Sequence, residues 1–217
     1  MKILCVSDQI DPLVYTNSIK ERYKDVTMVL SAGDLPLDYL EFIVSSLNVP
    51  LLFVFGNHNT EHLSHFKPRE APVFHATESL NIGAIHIGGK IHRENGLIIA
   101  GLGGSMRYNR GENQFTERQM KAEIFKMIPA LLWNRIFRGK FLDILLTHAP
   151  PEGIHDKPDP CHRGFKAFRW FMHTFKPSYL IHGHIHLYDL SAVRVTRFEE
   201  TTVINAYSHY IVTTEEN

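Results

Sequence analysis

Two aspartates, one asparagine and four histidines occupy the same kind of place in this chain, within five positions of the end of a compact apolar run. Runs at residues 3–6, 26–30, 51–55, 142–146 and 179–181 are followed by Asp8, Asp34, Asn57 with His58, His148, and the Gly183-His184-Ile185-His186 segment. Carboxylate, amide and imidazole donors drawn to one point form a mixed oxygen and nitrogen shell. Such a shell suits borderline divalent ions such as Zn, Mn, Fe, Ni or Co. A calcium or magnesium cage of hard oxygens would not recruit so much imidazole. The chemistry to expect is that of a metal-dependent active site.

Bringing these residues together requires parallel strands. Short runs rich in Ile, Leu, Val and Phe, without clear alternation, suit strands covered on both faces. In such sheets ligands gather beyond the carboxyl ends. The opening reads as strand, short helix over 16–23, strand, then a helix led by Pro36 with Leu37, Leu40, Ile43, Val44 and Leu47 at helical spacing up to Asn48. Strand candidates follow at 84–87 and 97–102. Thr116 and Gln119 form a capping-box pattern opening a helix through Met120, Ile124, Met127, Ile128 and Leu131, which Pro129 should kink or divide. A last helix runs over about 165–175 and stops before Pro177. Strands expected at 190–195, 202–205 and 210–213 form a meander, whose natural home is a second, mixed or antiparallel sheet.

With 217 residues and 44% hydrophobic content, the chain supports one core, and a single domain over 1–217 is expected. Lys plus Arg equals Asp plus Glu at 23 each, so no global field draws it to long nucleic acid or to a membrane. Cys5 and Cys161 are too sparse for a disulfide framework. Neither a signal peptide nor a membrane span is read, so a cytoplasmic location is expected.

The ordered set Asp8, Gly33-Asp34, Gly56-Asn57-His58, Thr147-His148 and Gly183-His184-Ile185-His186 resembles the motif blocks of the calcineurin-like metallophosphoesterases. Each block alone has a plain structural reading, Asp34 as a helix cap for instance; the recurrence at five strand ends is what points to a site. The resemblance implies two facing mixed β-sheets flanked by α-helices. It also implies a two-metal centre at which a metal-bound hydroxide hydrolyses a phosphate ester. In that centre Asp34 would bridge, Asp8 and His186 would serve one ion, and Asn57, His148 and His184 the other. The two-residue spacing of His184 and His186 would, in an extended segment, put both rings on one face. His58 would act at the leaving group, next to Asn59 where many relatives carry an acid.

The family commonly shows Asp-x-His in its first block, and here the residues are Asp8-Gln9-Ile10. The opening is similar to that of bacterial relatives with otherwise intact blocks, which implies a subfamily variant. Ile10 cannot ligate, so the first ion should bind weakly unless Asp11, His155, His162 or water fills the gap. Further candidates are Arg107 and Tyr108 after the glycine-rich 101–105 segment, and His155 in the loop overhanging the site, as substrate contacts. Phe125, Leu132 and Trp133 fit either a dimer patch or burial within the domain. The expected activity is hydrolysis of a small phosphorylated or nucleotide-like substrate, with a phosphodiester preferred to a monoester and manganese among the candidate ions. The alternative is a catalytically weakened scaffold or interaction module.

Overall fold

The computed structural model describes residues 1–58, 60–66, 82–189 and 191–214. In chain order the strands are β1 (Lys2–Ser7), β2 (Val26–Ser31), β3 (Leu51–Phe53), β4 (Ile85–His86), β5 (Ile91–Glu94), β6 (Leu97–Leu102), β7 (Ser105–Met106), β8 (Gln114–Phe115), β9 (Ile144–Thr147), β10 (Tyr179–His182), β11 (Val195–Phe198), β12 (Thr201–Asn205) and β13 (Ser208–Thr213). The helices are α1 (Ile19–Arg22), α2 (Leu37–Leu47), α3 (Leu63–Phe66), α4 (Glu117–Arg138) and α5 (Lys166–Phe175).

Successive residues of a strand face opposite ways, and here each face meets its own core, which is why the runs lack polar alternation. Ile3 and Cys5 of β1 pack with Met28 and Leu30 of β2 and with Ile99, Ile144, Leu146 and Ile181 of a second sheet. Leu4 and Val6 look outward onto Ile19 of α1 and Leu37, Leu40 and Ile43 of α2. On the other side, Ala100, Leu145, Leu180 and Val203 meet Met120, Ile124 and Leu131 of α4 and Phe168 and Phe171 of α5. Two sheets therefore face each other between helices, as expected.

In the first sheet β1, β2, β3 and β4 run parallel, with β13 antiparallel at the edge beside β1. In the second, β12, β10, β9 and β6 are parallel between antiparallel edge strands β11 and β5. The parallel runs bring the carboxyl ends of β1, β2, β3, β9 and β10 to the crevice where ligands gather. A separate ribbon pairs β7 with β8.

Several local expectations are corrected. The helix over 16–23 shrinks to α1, and Pro36 is the N-cap of α2 at φ −60° and ψ 143° rather than part of its first turn. Both halves of the Thr116–Gln119 capping box form, but Pro129 does not divide α4. Pro129 lies on the exposed side, so the amide it lacks and the Phe125 carbonyl it displaces lie on the solvent side of the helix. The expected 190–195 strand begins only at Val195, because Asp189 turns the chain by accepting the N–H groups of Ser191 on its side chain at 2.8 Å and Ala192 on its carbonyl at 3.1 Å. Leu190, like Asn59 and His75, lies outside the described residues.

The C-terminal meander does not stay in one sheet. β12 joins the second sheet parallel to β10, whereas β13 crosses to pair with β1. Phe125, Leu132 and Trp133 are 56%, 48% and 58% exposed, which rules out burial within the domain as their explanation.

Candidate metal centre

Asp8 follows β1 directly, Asp34 lies three residues beyond β2, Asn57 and His58 lie beyond β3, His148 follows β9 directly, and His184 is two residues past β10. Asp8, Asp34 and His184 have φ of 64°, 56° and 66°, a region uncommon for residues with a Cβ. Such strain costs about 1–3 kcal/mol per residue and persists where the surroundings over-determine it. Here they do. Asp34 Oδ1 accepts the His58 N–H at 2.8 Å, and the two Asp8 oxygens accept the His184 N–H at 3.0 and 2.9 Å. Gly56 is required by close approach, since a Cβ there would lie 2.0 Å from Asp34 Oδ1.

Donor atoms of Asp34, His148 and His184 lie within 4.8 Å of one another. His148 Nε2 is 3.2 Å from Asp34 Oδ2, 3.2 Å from Asn57 Oδ1 and 3.1 Å from His184 Nδ1. The outward nitrogens are anchored on carbonyls, which only accept: His148 Nδ1 donates to Ala32 at 2.8 Å and His184 Nε2 to Cys161 at 2.6 Å. A carbonyl holding one ring nitrogen as N–H leaves the other as a lone pair for the ion. Asn57 Nδ2 donates to the Tyr108 hydroxyl at 3.3 Å, which turns its Oδ1 toward the cluster.

The electrostatics call for a cation. Burial alone would lower the pKa of His148, but the Asp34 charge and hydrogen bond outweigh it and bring it up to about 9. Burial would raise Asp34, yet the His148 charge and hydrogen bond, with the His58 N–H, take its carboxyl to about 2. Burial and then the neighbouring His148 charge push His184 down. A proton on His148 thus occupies the place of a positive charge among acceptors. This donor set, with two imidazoles, an amide oxygen and a carboxylate, fits a divalent transition metal.

The other expected ion has looser surroundings. His186 Nε2 is 3.8 Å from Asp8 Oδ1, its Nδ1 is 2.7 Å from the Tyr188 hydroxyl, and its ring stacks on Tyr207 at 5.0 Å. The idea that pleating puts His184 and His186 on one face is corrected: β10 ends at His182, and His184 is left-handed. Tertiary hydrogen bonds aim the segment instead. Asn205 Nδ2 holds the Ile185 carbonyl at 2.8 Å. Ile10 is 43% exposed. Asp11 does not substitute for the missing ligand, since Oδ2 accepts from Ser208 and His209 and Oδ1 from the Leu13 N–H at 2.8 Å. His162 Nδ1 is paired with Asp159 at 2.8 Å. Ile10→His is therefore expected to tighten the ion served by Asp8 and His186 by at least ~10-fold, the scale on which even outer-shell partners act. Metal titration of both proteins checks this, and two equally tight sites in the unchanged chain would overturn it.

Of the expected substrate contacts, Tyr108 reaches Asn57, whereas Arg107 Nη2 donates to the Gln114 carbonyl at 3.1 Å. The glycines before them serve packing: a Cβ on Gly103 would lie 2.5 Å from the Phe55 carbonyl. His155 hydrogen-bonds the buried His182 at 2.9 Å and Thr196 at 2.8 Å. His58 is exposed, and its backbone N–H is bonded to Asp34. Asn205, Asn113, which donates to the Phe55 and Gly56 carbonyls at 3.1 and 2.7 Å, and Tyr207 were not anticipated. Asn205 carried a readable signal, because it ends another apolar strand as Asp8 and His148 do.

The model of the calcineurin-like phosphoesterase family matches residues 1–188. No curated protein matches the chain by sequence. One crystal structure is similar with a TM-score of 0.65 at 13% identity, over 97% of this chain and 94% of the other. A protein of Thermus thermophilus is similar at 0.58 and 12% identity, over 95% and 89%. These two show the shared fold. A novel archaeal phosphodiesterase aligns at 0.42 and 16% identity, over 96% and 84%, too loosely to bear on fold or activity.

Proposed function

Since this chain belongs to the calcineurin-like phosphoesterase family, we propose that it hydrolyses a phosphate ester using divalent metal ions held at the carboxyl ends of its parallel strands. The observation that carries this reading is the convergence of Asp34, His148 and His184 within 4.8 Å, with Asn57 Oδ1 turned to the same point. Asn57, His148 and His184 would hold one ion, Asp8 and His186 the other, and Asp34 both. Ions there would supply Lewis acidity toward phosphoryl oxygens and acidify water.

The chain's own groups do the rest. Ala32 and Cys161 carbonyls keep the two imidazoles in the ligating tautomer. In this reading His58, exposed and next to Asn57, gives a proton to the departing alkoxide. We prefer a diester to a monoester because a cavity beside His186 can take a second ester substituent. Balanced charge favours a small phosphorylated or nucleotide-like substrate over long nucleic acid, and we assign the protein to the cytoplasm, where free thiols such as those of Cys5 and Cys161 are usual. Among the described residues no helix is long and apolar enough to cross a membrane.

The test is to assay the metal-loaded protein on bis(para-nitrophenyl) phosphate and on para-nitrophenyl phosphate. Hydrolysis of at least one is expected, and the reading fails if neither is cleaved with manganese, zinc, iron, nickel or cobalt. His58→Ala should lower turnover by roughly 10²–10⁴-fold, most for esters with poor leaving groups, while metal content stays near that of the parent. Loss of bound metal in that variant would show that His58 is a ligand instead.

A further inference from the structure

Beside His186 the surface opens into a cavity of about 540 Å³, walled by Ile154, His155, Ile185, Tyr188, Val193 and Thr196. That volume lies within the range of small-molecule sites. The wall carries few charges, and its two carboxylates are committed. Asp156 accepts the N–H groups of Gly153 at 3.0 Å and Gly164 at 3.1 Å, and Asp189 accepts that of Ser191 at 2.8 Å. Lys157 is the remaining charge on the wall. One cation against two carboxylates gives poor compensation for desolvating a second phosphate.

A hydrogen-bond chain reaches this wall from Gly183, next to His184 in sequence, and its direction is set at the inner end. The Gly183 carbonyl only accepts, so His182 Nδ1 donates to it at 2.9 Å. His182 Nε2 is then the acceptor for His155 Nδ1 at 2.9 Å, and His155 Nε2 the acceptor for the Thr196 hydroxyl at 2.8 Å. Burial favours the neutral form of the His155 ring, lowering it to about 4. With its proton committed inward, Thr196 Oγ1 offers the cavity lone pairs alone.

We propose that this cavity selects the alcohol part of the ester that is retained after cleavage, taking a neutral, ring-sized group that presents an N–H or O–H donor to Thr196, as a nucleoside does. The proposal rests on the phosphoesterase reading above. Ile154, Ile185 and Val193 would cover the ring, and Thr196 would choose donors over acceptors.

Two diesters with the same leaving group isolate the effect: the para-nitrophenyl ester of thymidine monophosphate and methyl para-nitrophenyl phosphate. With the metal-loaded full chain, kcat/KM for the thymidine ester is expected to exceed that for the methyl ester by ~10-fold or more, the scale of a single apolar contact in a pocket. Val193→Trp should bring that ratio toward one. Thr196→Val should lower it and Thr196→Ser restore it, with metal content unchanged in all three. Equal values for the two esters in the parent chain, or a ratio untouched in both Val193→Trp and Thr196→Val, would overturn the pocket. Cleavage of neither ester would overturn the phosphoesterase reading instead. Thymidine binding, measured calorimetrically, would then judge the cavity: loss of binding in Val193→Trp supports it, and no binding to the parent chain overturns it.

Discussion

Exhaustive chelation is expected to bring phosphoester hydrolysis to background, and adding back a single kind of divalent ion to restore it in two steps. Without a cation, a proton on His148 supplies positive charge among the acceptors, held between Asp34 Oδ2 at 3.2 Å and Asn57 Oδ1 at 3.2 Å. Such a proton satisfies the electrostatics of the cluster but supplies no coordination site for a phosphoryl oxygen or for water. The two steps follow from unequal shells. One ion would draw on Asn57, His148, His184 and Asp34, whereas the other lacks an imidazole at Ile10 and has His186 3.8 Å from Asp8. Metal analysis alongside the rates checks the result. Full activity in protein shown to be metal-free would remove the basis of the proposed function.

Asp34→Ala is expected to have the largest effect on metal binding of any single substitution, exceeding the ~10–100-fold that loss of an outer-shell partner costs in affinity. Its carboxylate performs three tasks that alanine cannot. It belongs to the cluster of converging donors, it sustains the raised pKa of His148, and its Oδ1 accepts the His58 N–H at 2.8 Å, which shapes the loop after β3. If Asp34 bridges, both ions should be depleted together. Asp34→Asn separates the roles, since an amide oxygen can keep the His58 contact while the negative charge is gone. Loss of only one ion's worth of metal in Asp34→Ala would make Asp34 a terminal ligand. Unchanged metal content would remove it from the centre.

Local sequence carried much of the fold because two-sided burial leaves a local record. A run such as Ile3 to Val6, with Ile3 and Cys5 in one core and Leu4 and Val6 in another, has no reason to alternate with polar residues. The Thr116–Gln119 box is equally local, with both hydrogen-bonded partners within one helical turn. Pairing of the last strands was not legible in this way. The burial pattern of a strand says which faces are covered but not which strand lies alongside, so the crossing of β13 to β1 depends on contacts between opposite ends of the chain.

At the site, the sequence by itself determined which donors stand just beyond the ends of apolar strands, because a strand's end and the residue that follows it are properties of a short segment. Tertiary structure alone decided how those donors are aimed and which neighbours are spent elsewhere. Asp11, a possible ligand by position, is taken by Ser208 and His209, the former 197 residues away along the chain. His184 is aimed by Asp8 and the Cys161 carbonyl rather than by the pleat of a strand. The physical reason is that a polar group buried at a crevice must satisfy its hydrogen bonds with whatever the fold places beside it, and those partners are distant in sequence.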